Sequence, residues 1–151
     1  MRSFRLIGLA PLVFLLGCAQ ENSGVLEDLT QRNVTLPDGR LIRAEVMIKP
    51  ADMERGMMYR DSLPQGHGVL FVHNKLGPYR YWMNNVKIPL DIIFMDDAKR
   101  IVEIAADTPP CTSKPSECPL YGGHHMEMFV LELAGGEARR FSLREGQTLT
   151  F

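Results

Sequence analysis

Apolar and polar positions alternate along most of the chain after residue 32. Between Ile42 and Ile48 every even position is apolar, which is typical of a strand with one wet face. Similar short runs bounded by Gly, Pro, Asn or Asp predict strands at residues 33–36, 68–72, 79–84, 90–95, 101–105, 126–133 and 148–151. Pro50 and Gly56 suit the start and end of one short helix near residues 50–56. The pattern predicts a mainly β fold, either a compact antiparallel β-sandwich or a partly closed barrel.

The first 17 residues differ from this pattern. Two arginines precede an apolar run at residues 6–16, which predicts a signal peptide that is too short to span a bilayer. Residues 15–18, Leu-Leu-Gly-Cys, resemble a bacterial lipobox, so we expect lipidation of Cys18; cleavage by the general signal peptidase, with Cys18 a bystander, is the alternative. We therefore expect a periplasm-facing protein of the bacterial cell envelope that meets the membrane through its lipid anchor, and Ala19 favours the outer membrane.

Composition then sets the domain organisation and excludes one class of partner. The mostly polar residues 18–31 predict a flexible tether, and residues 32–151 are long enough for a single β domain. Removal of residues 1–17 leaves 15 Lys and Arg against 18 Asp and Glu, a formal charge of −3. Because no basic patch is evident, we expect no nucleic-acid partner.

Cys111 and Cys118 are the two cysteines that remain if Cys18 is lipidated. An exported protein folds in an oxidising compartment, so we expect a disulfide between them. A redox-active pair is the alternative, but the six-residue spacing differs from the C-x-x-C spacing of catalytic pairs. The pattern therefore favours a structural bond.

An acidic residue interrupts the apolar strand predicted at residues 90–95. Alternation places Asp91 among apolar neighbours, where a carboxylate needs a partner, and Arg60, Asn84 or backbone amides at the break before Pro89 could supply one. One interpretation is a purely structural network. The other is a pocket for a small polar ligand, such as a carbohydrate or a peptidoglycan fragment. Its candidate ligand-binding residues are Arg60, Trp82, Met83, Asn84 and Asp91.

Three stretches together resemble a known family: ERGMMYRDSLPQGHGVLFVHN, YWMNNVKIPLDIIFMDDAKRIVEI and FVLELAGG. Their order and spacing are similar to those of the bacterial and archaeal domain of unknown function 192. The resemblance implies a mostly β single domain, often exported, with no established activity. The positions that match the family motifs are Gly56, Met57, Met58, Arg60, Leu63, Gly68, Phe71, Trp82, Met83, Asn84, Pro89, Leu90, Asp91, Phe94, Glu132 and Gly135.

A second cluster supports a different class of function. Imidazole and thioether groups are ligands for Cu(I) or Ag(I). Four of the five side chains at residues 124–128 carry one of these groups. If residues 126–133 form a strand, alternate residues share a face about 7 Å apart. The alternative is that the methionines fill the core and the histidines lie in a loop. The candidate metal ligands are His124, His125, Met126 and Met128.

Enzyme signatures such as G-x-S-x-G, H-E-x-x-H and the P-loop do not occur in the sequence. A hydrolase acting on cell-wall material remains an alternative, with Asp91 as general base and His73 or His67 as proton carrier, or with Ser62 near Asp61 and His67. We assign no catalytic residue and expect no cofactor unless the soft-metal alternative holds. The sequence favours an envelope lipoprotein that acts as a small-ligand-binding or accessory module.

Overall fold

The computed structural model of the protein describes residues 30–151. The predicted signal peptide, the lipidation site at Cys18 and the tether up to residue 29 lie outside the described residues. Within residues 30–151 no helix is both long enough and apolar enough to cross a bilayer.

Eight strands, two short α-helices and one 3₁₀ turn make up the described domain. In chain order they are β1 (Gln31–Thr35), β2 (Leu41–Met47), α1 (Pro50–Arg55), β3 (His67–Gly77), β4 (Arg80–Trp82), β5 (Leu90–Met95), β6 (Ile101–Thr108), the 3₁₀ turn (Pro115–Glu117), β7 (Leu120–Gly122), β8 (Glu127–Ala134) and α2 (Glu137–Arg140). Six strands form one sheet in the order β1-β2-β3-β8-β5-β6, and β4 pairs with β7 in a second, smaller sheet. The predicted mainly β class and the helix near residues 50–56 are confirmed.

The large sheet differs from the predicted antiparallel arrangement in the direction of one strand pair. It is mixed, because β2 and β3 run parallel while the other neighbouring strands are antiparallel. Parallel neighbours need a crossover connection, and α1 with the loop after it provides one. The large sheet does not close into a barrel.

The C-terminal strand predicted at residues 148–151 is not formed as such. Thr148 and Thr150 make isolated bridges to Arg100 and Thr35, one on each side of the segment. Because neither bridge is followed by a neighbouring pair, the segment forms no ladder with either strand. Residues 137–140 form α2 instead of a loop, and this helix begins after Gly136 in a left-handed conformation (φ 86°).

Both faces of the large sheet are buried, and β5 is buried along its whole length. Alternation along β5 sends Leu90, Ile92 and Phe94 into one core, while Ile93 and Met95 enter the other, as predicted. The core that contains Leu90, Ile92 and Phe94 is covered by the turn after α1 and by the chain that follows β4. The core that contains Ile93 and Met95 is covered by α2 and the C-terminal segment. The residues that cover it are Ala138, Phe141, Leu143 and Leu149.

Candidate functional site

A cleft of about 530 Å³ opens beside Trp82, where the end of β4 faces α1. Small-molecule sites commonly have volumes of about 300 to 1,000 Å³, so the cleft has the size of a ligand site. We call it the Trp82 cleft. The residues that line it are Ala51, Glu54, Arg55, Met58, Tyr59, Trp82, Asn84, Asn85 and Pro115.

The position of Trp82 follows from the alternation of β4. Tyr81 points into the core, where its ring makes edge contacts with Phe71 and Phe94 at centroid distances of 5.1 and 5.8 Å. The next side chain must point outward, and Trp82 is 40% exposed. An exposed tryptophan ring on the wall of a cleft offers a flat surface for a ligand.

Two backbone hydrogen bonds hold the rim of the Trp82 cleft in the segment that follows β4. The amide of Cys111 donates to the carbonyl of Met83 (3.2 Å), and the amide of Tyr59 donates to the carbonyl of Asn85 (2.9 Å). Asn85 adopts a left-handed conformation (φ 57°), which asparagine tolerates better than most residues. The rim therefore joins α1, β4 and the disulfide loop.

Two polar side chains on the wall of the Trp82 cleft have no side-chain partner in the part of the chain that the structure describes. Within residues 30–151, the side-chain amide of Asn84 and the guanidinium of Arg55 make no hydrogen bond or ion pair with another side chain. An amide offers both a donor and an acceptor, and a guanidinium offers only donors. The wall can therefore form hydrogen bonds with hydroxyl and carbonyl groups of a ligand and an ion pair with an anionic group.

A smaller cavity of about 40 Å³ lies at the inner end of this cleft, and the two share Glu54, Arg55, Met58 and Trp82. Its floor is Glu132, so we call it the Glu132 pocket. A cavity of this volume has room for one or two water-sized groups. The remaining wall residues are Met53, Gly56, Met57, Phe71, Tyr81 and Val86.

Glu132 is a buried acid on β8, opposite Val69 of β3 and Ile92 of β5. It is 4% exposed, and its Oε2 atom has no hydrogen-bond partner among the described residues. Burial raises the pKa of the Glu132 carboxyl to about 8, and the positive charge of Arg60 partly opposes this effect. The carboxyl is therefore mostly protonated at neutral pH. Sequence reasoning missed this site, although an acidic residue inside the apolar run FVLELA was the available signal.

Arg60 forms an ion pair with Glu45 of β2. Two guanidinium nitrogens donate to the two carboxylate oxygens at 2.7 and 2.8 Å. This pairing lowers the pKa of Glu45. The prediction that Arg60 neutralises Asp91 is therefore wrong.

Asp91 is held by backbone amides instead. Its Oδ1 atom accepts a hydrogen bond from the amide of Asp107 and its Oδ2 atom accepts one from the amide of Ala138, both at 2.6 Å. Predicted partners Arg60 and Asn84 do not contact it, and the amides come from distant segments rather than from the break before Pro89. Because Asp91 is fully buried, a ligand in the Trp82 cleft cannot contact it.

Met83 is also a core residue. It is 1% exposed, and its sulfur accepts a hydrogen bond from the hydroxyl of Thr108 (3.5 Å). Of the five predicted ligand-binding residues, Trp82 and Asn84 line a common cleft. Arg60, Met83 and Asp91 do not line it.

His73 lies in β3 rather than in a loop, and it stacks on Tyr79 with a centroid distance of 3.4 Å. Its Nε2 atom lies 3.0 Å from the hydroxyl of Tyr81. Burial lowers the pKa of His73 to about 4, and burial together with the charge of Glu132 raises the pKa of Tyr81. Both groups are neutral at physiological pH, so they cannot supply charge to the site.

Among the described residues, the candidate residues of the hydrolase alternative are not arranged as a catalytic site. Asp91 is sealed from solvent with both oxygens occupied. Asp61 pairs with Lys87 at 2.8 Å, and the Nδ1 atom of His67 lies 3.3 Å from the carbonyl of Gln65. No hydrogen bond among residues 30–151 joins Ser62 to His67, although both line a cavity of about 190 Å³.

The predicted His/Met metal ligands lie at the edge of β8. Since β8 begins at Glu127, His124 and Met126 precede the strand and do not follow its alternation. His124 Nδ1 lies 3.0 Å from both carboxylate oxygens of Glu103. In the part of the chain that the structure describes, no three His, Cys, Asp or Glu side chains are grouped to hold a metal ion. Binding of Cu(I) or Ag(I) through the imidazoles and thioethers of His124, His125, Met126 and Met128 stays a prediction.

The disulfide between Cys111 and Cys118 is formed, as predicted, with the two Cα atoms 5.7 Å apart. It closes a short loop that contains the 3₁₀ turn, and Pro115 of this turn lines the Trp82 cleft. The bond therefore supports one wall of the site.

Comparisons with known proteins place the chain in a family. Residues 33–151 match the sequence profile of the domain of unknown function 192, described as "Uncharacterized ACR". No curated protein is significantly similar in sequence.

Two solved structures are similar in fold. A protein of unknown function from Novosphingobium aromaticivorans DSM 12444 is 29% identical with a TM-score of 0.72, and the match covers 80% of this chain and 85% of that one. A candidate transcription regulator from Sinorhizobium meliloti 1021 is 27% identical with a TM-score of 0.69, and this match covers 78% and 89% of the respective chains. With the profile match over residues 33–151, the chain belongs to the domain of unknown function 192 family.

Proposed function

We propose that this protein is a non-enzymatic binding module of the bacterial envelope, which takes a small polar ligand into the Trp82 cleft. The observation that carries this proposal is that an exposed aromatic ring, that of Trp82, and an amide with no hydrogen bond among residues 30–151, that of Asn84, line one cleft of ligand size. The inner end of the cleft reaches the buried carboxyl of Glu132, which has an unpartnered oxygen.

These groups suit a carbohydrate or a peptidoglycan fragment. The apolar face of a sugar ring stacks on an aromatic ring, and an amide satisfies sugar hydroxyls as both donor and acceptor. Arg55 and Glu54 on the same wall can bind the charged groups of an attached peptide. The ligand class therefore follows from the mixture of one ring and several polar groups.

The envelope location is supported by the sequence of residues 1–18, where an apolar run precedes the Leu-Leu-Gly-Cys motif. A lipid on Cys18 would hold the domain at the membrane, with residues 18–31 as spacer. Regulation of transcription, the role suggested for the Sinorhizobium protein, does not fit the charge of this chain. Its 17 Lys and Arg are balanced by 18 Asp and Glu, whereas proteins that bind DNA usually carry a basic patch.

Trp82 is the single tryptophan of the chain, so its fluorescence reports on the cleft without interference. We expect soluble muropeptides from digested peptidoglycan to change this emission in a saturable way. Asn84→Ala should weaken binding at least tenfold, whereas Asn74→Ala, at an exposed position outside the cleft, should leave it unchanged. Circular dichroism melts would show that both variants fold. Absence of a saturable change, or equal binding by Asn84→Ala, would contradict the proposal.

A further inference from the structure

Three methionine side chains share the Glu132 pocket with the unpartnered carboxylate oxygen. Met53 comes from α1, and Met57 and Met58 come from the turn that follows it. Met57 is buried, and Met53 and Met58 are partly buried against the same core. One short segment of chain thus contributes three methionine side chains to the lining of the pocket that contains Glu132.

The backbone explains this arrangement. α1 ends at Gly56, which has a positive φ of 43°, and a Cβ atom at this position would lie 3.1 Å from the ring of Phe71. The chain can therefore pass close to the sheet, which directs the next side chain, Met57, toward the face that carries Glu132. Met53, in the last turn of α1, lines the same pocket.

The volume of the pocket limits its occupant. About 40 Å³ accommodates an ion or a water-sized group but no ring. The larger ligand of the Trp82 cleft cannot enter it as a whole. A separate occupant of the Glu132 pocket must therefore be small.

Its chemistry favours a soft cation. Ca²⁺ and Mg²⁺ require about six or more oxygen ligands, and the side chains here supply two carboxylates, the buried Glu132 and the exposed Glu54, with the guanidinium of Arg55 beside Glu54. An ammonium group has three hydrogens to satisfy, and the buried part of this lining offers it a single carboxyl, that of Glu132. Cu(I) and Ag(I) instead prefer thioether ligands, of which three are present. A monovalent ion would displace the proton of the Glu132 carboxyl to solvent and form a neutral pair with the resulting carboxylate, which avoids a buried net charge.

We propose that Met53, Met57, Met58 and Glu132 form a binding site for a soft monovalent metal ion, Cu(I) or Ag(I). This site is distinct from the one predicted at residues 124–128, and it goes beyond the proposed binding of an organic ligand. Tyr81 and Trp82 form part of its wall, so the ring of Trp82 lies beside the bound ion.

Ag(I) is the suitable probe, because it requires no reductant. The full chain would carry Cys18→Ala, which removes the one cysteine outside the disulfide. We expect one Ag(I) ion to bind with micromolar or better affinity in calorimetry, to change the fluorescence of Trp82, and to shift the ¹³Cε resonances of Met53, Met57 and Met58. No binding at micromolar concentration would overturn the proposal.

Matched variants separate the two metal sites. Met58→Leu conserves volume and should keep the fold, yet it and Glu132→Gln should each weaken Ag(I) binding at least tenfold. Met126→Leu is the control and should have no effect. Shifts confined to Met126 and Met128, or unchanged binding by both pocket variants, would overturn the proposal. So would Glu132-dependent binding of methylammonium in place of Ag(I).

The Ag(I) experiment and the muropeptide experiment test the metal site and the proposed function separately. Muropeptide titrations use metal-free protein and test Asn84→Ala, which does not line the Glu132 pocket. If muropeptides bind and Ag(I) does not, the metal proposal alone fails. If Ag(I) binds through the methionines and no muropeptide does, the metal proposal stands while the proposed function fails.

Discussion

Arg60 binds Glu45 through two hydrogen bonds, and its positive charge also acts on the buried carboxyl of Glu132. One side chain on the loop after α1 thus links β2 electrostatically to the floor of the Glu132 pocket. Its removal should change the protonation of Glu132.

We expect Arg60→Gln to raise the pKa of Glu132 further, because the charge that opposes the effect of burial is lost. The midpoint can be followed by ¹³C NMR of the side-chain carboxyl. Lys87→Gln is the control, since Lys87 pairs with the exposed Asp61. A Glu132 midpoint that falls or does not move in Arg60→Gln would contradict this electrostatic link.

Glu132 should make the metal-free protein less stable as the pH rises. Its pKa is about 8 in the folded protein against an ordinary value of 4.5, so between these values the folded state binds more protons than the unfolded state. The contribution of Glu132 to the free energy of unfolding is therefore fully present below about pH 4.5 and is lost as the pH rises toward 8.

Glu132→Gln, which cannot ionise, should remove this decline. Between pH 5 and pH 8 it should gain a few kcal/mol relative to the wild type, since each pKa unit corresponds to about 1.4 kcal/mol. Urea denaturation at several pH values measures the difference. Glu145→Gln, at an exposed position, should follow the wild type. Parallel pH profiles for Glu132→Gln and wild type would show that Glu132 does not titrate as described.

Asp91→Ala should destabilise the protein without changing the affinity of the folded protein for a ligand. The substitution leaves the amides of Asp107 and Ala138 without their acceptor, and we expect a loss of about 3 kcal/mol or more. Asp61→Ala breaks an exposed ion pair and should cost less than about 1 kcal/mol. Urea denaturation and muropeptide titration of the remaining folded protein test the two halves. A small stability loss with weakened binding would reverse the role assigned to Asp91.

Reduction of the Cys111–Cys118 disulfide should affect both stability and binding. A loop this short predicts a loss of about 2 to 3 kcal/mol from the free energy of unfolding. Because Pro115 lines the Trp82 cleft, the muropeptide affinity should fall as well. Thermal melts and fluorescence titrations with and without a phosphine reductant give both quantities. Unchanged affinity after reduction would show that the loop does not support the site.

Local features of the sequence were sufficient for several elements. The alternation of residues 90–95 predicted β5 with its two faces, and Pro50 with Gly56 predicted α1. The disulfide followed from two cysteines in a chain that we expected to be exported. Side-chain periodicity predicted β5, the backbone preferences of proline and glycine predicted α1, and the expected compartment predicted the disulfide. Each of these signals can be read from short stretches of sequence.

Long-range packing determined the features that sequence reasoning missed. The amides that bind Asp91 lie 16 and 47 residues away from it, and the parallel pairing of β2 with β3 depends on a crossover through α1. Glu132 becomes the floor of a pocket only because the turn after α1 folds over β8. Local periodicity contains no information about which segment will cover a given face.

The most direct test of the Trp82 cleft as the functional site is an NMR titration of metal-free, ¹⁵N-labelled protein with soluble muropeptides. The account predicts saturable shifts of the Trp82 indole and the Asn84 side-chain amide with one common dissociation constant, while the side-chain amide of Asn74 stays unchanged. Unchanged Trp82 and Asn84 resonances, or shifts confined to the cavity beside Ser62 and His67, would contradict it.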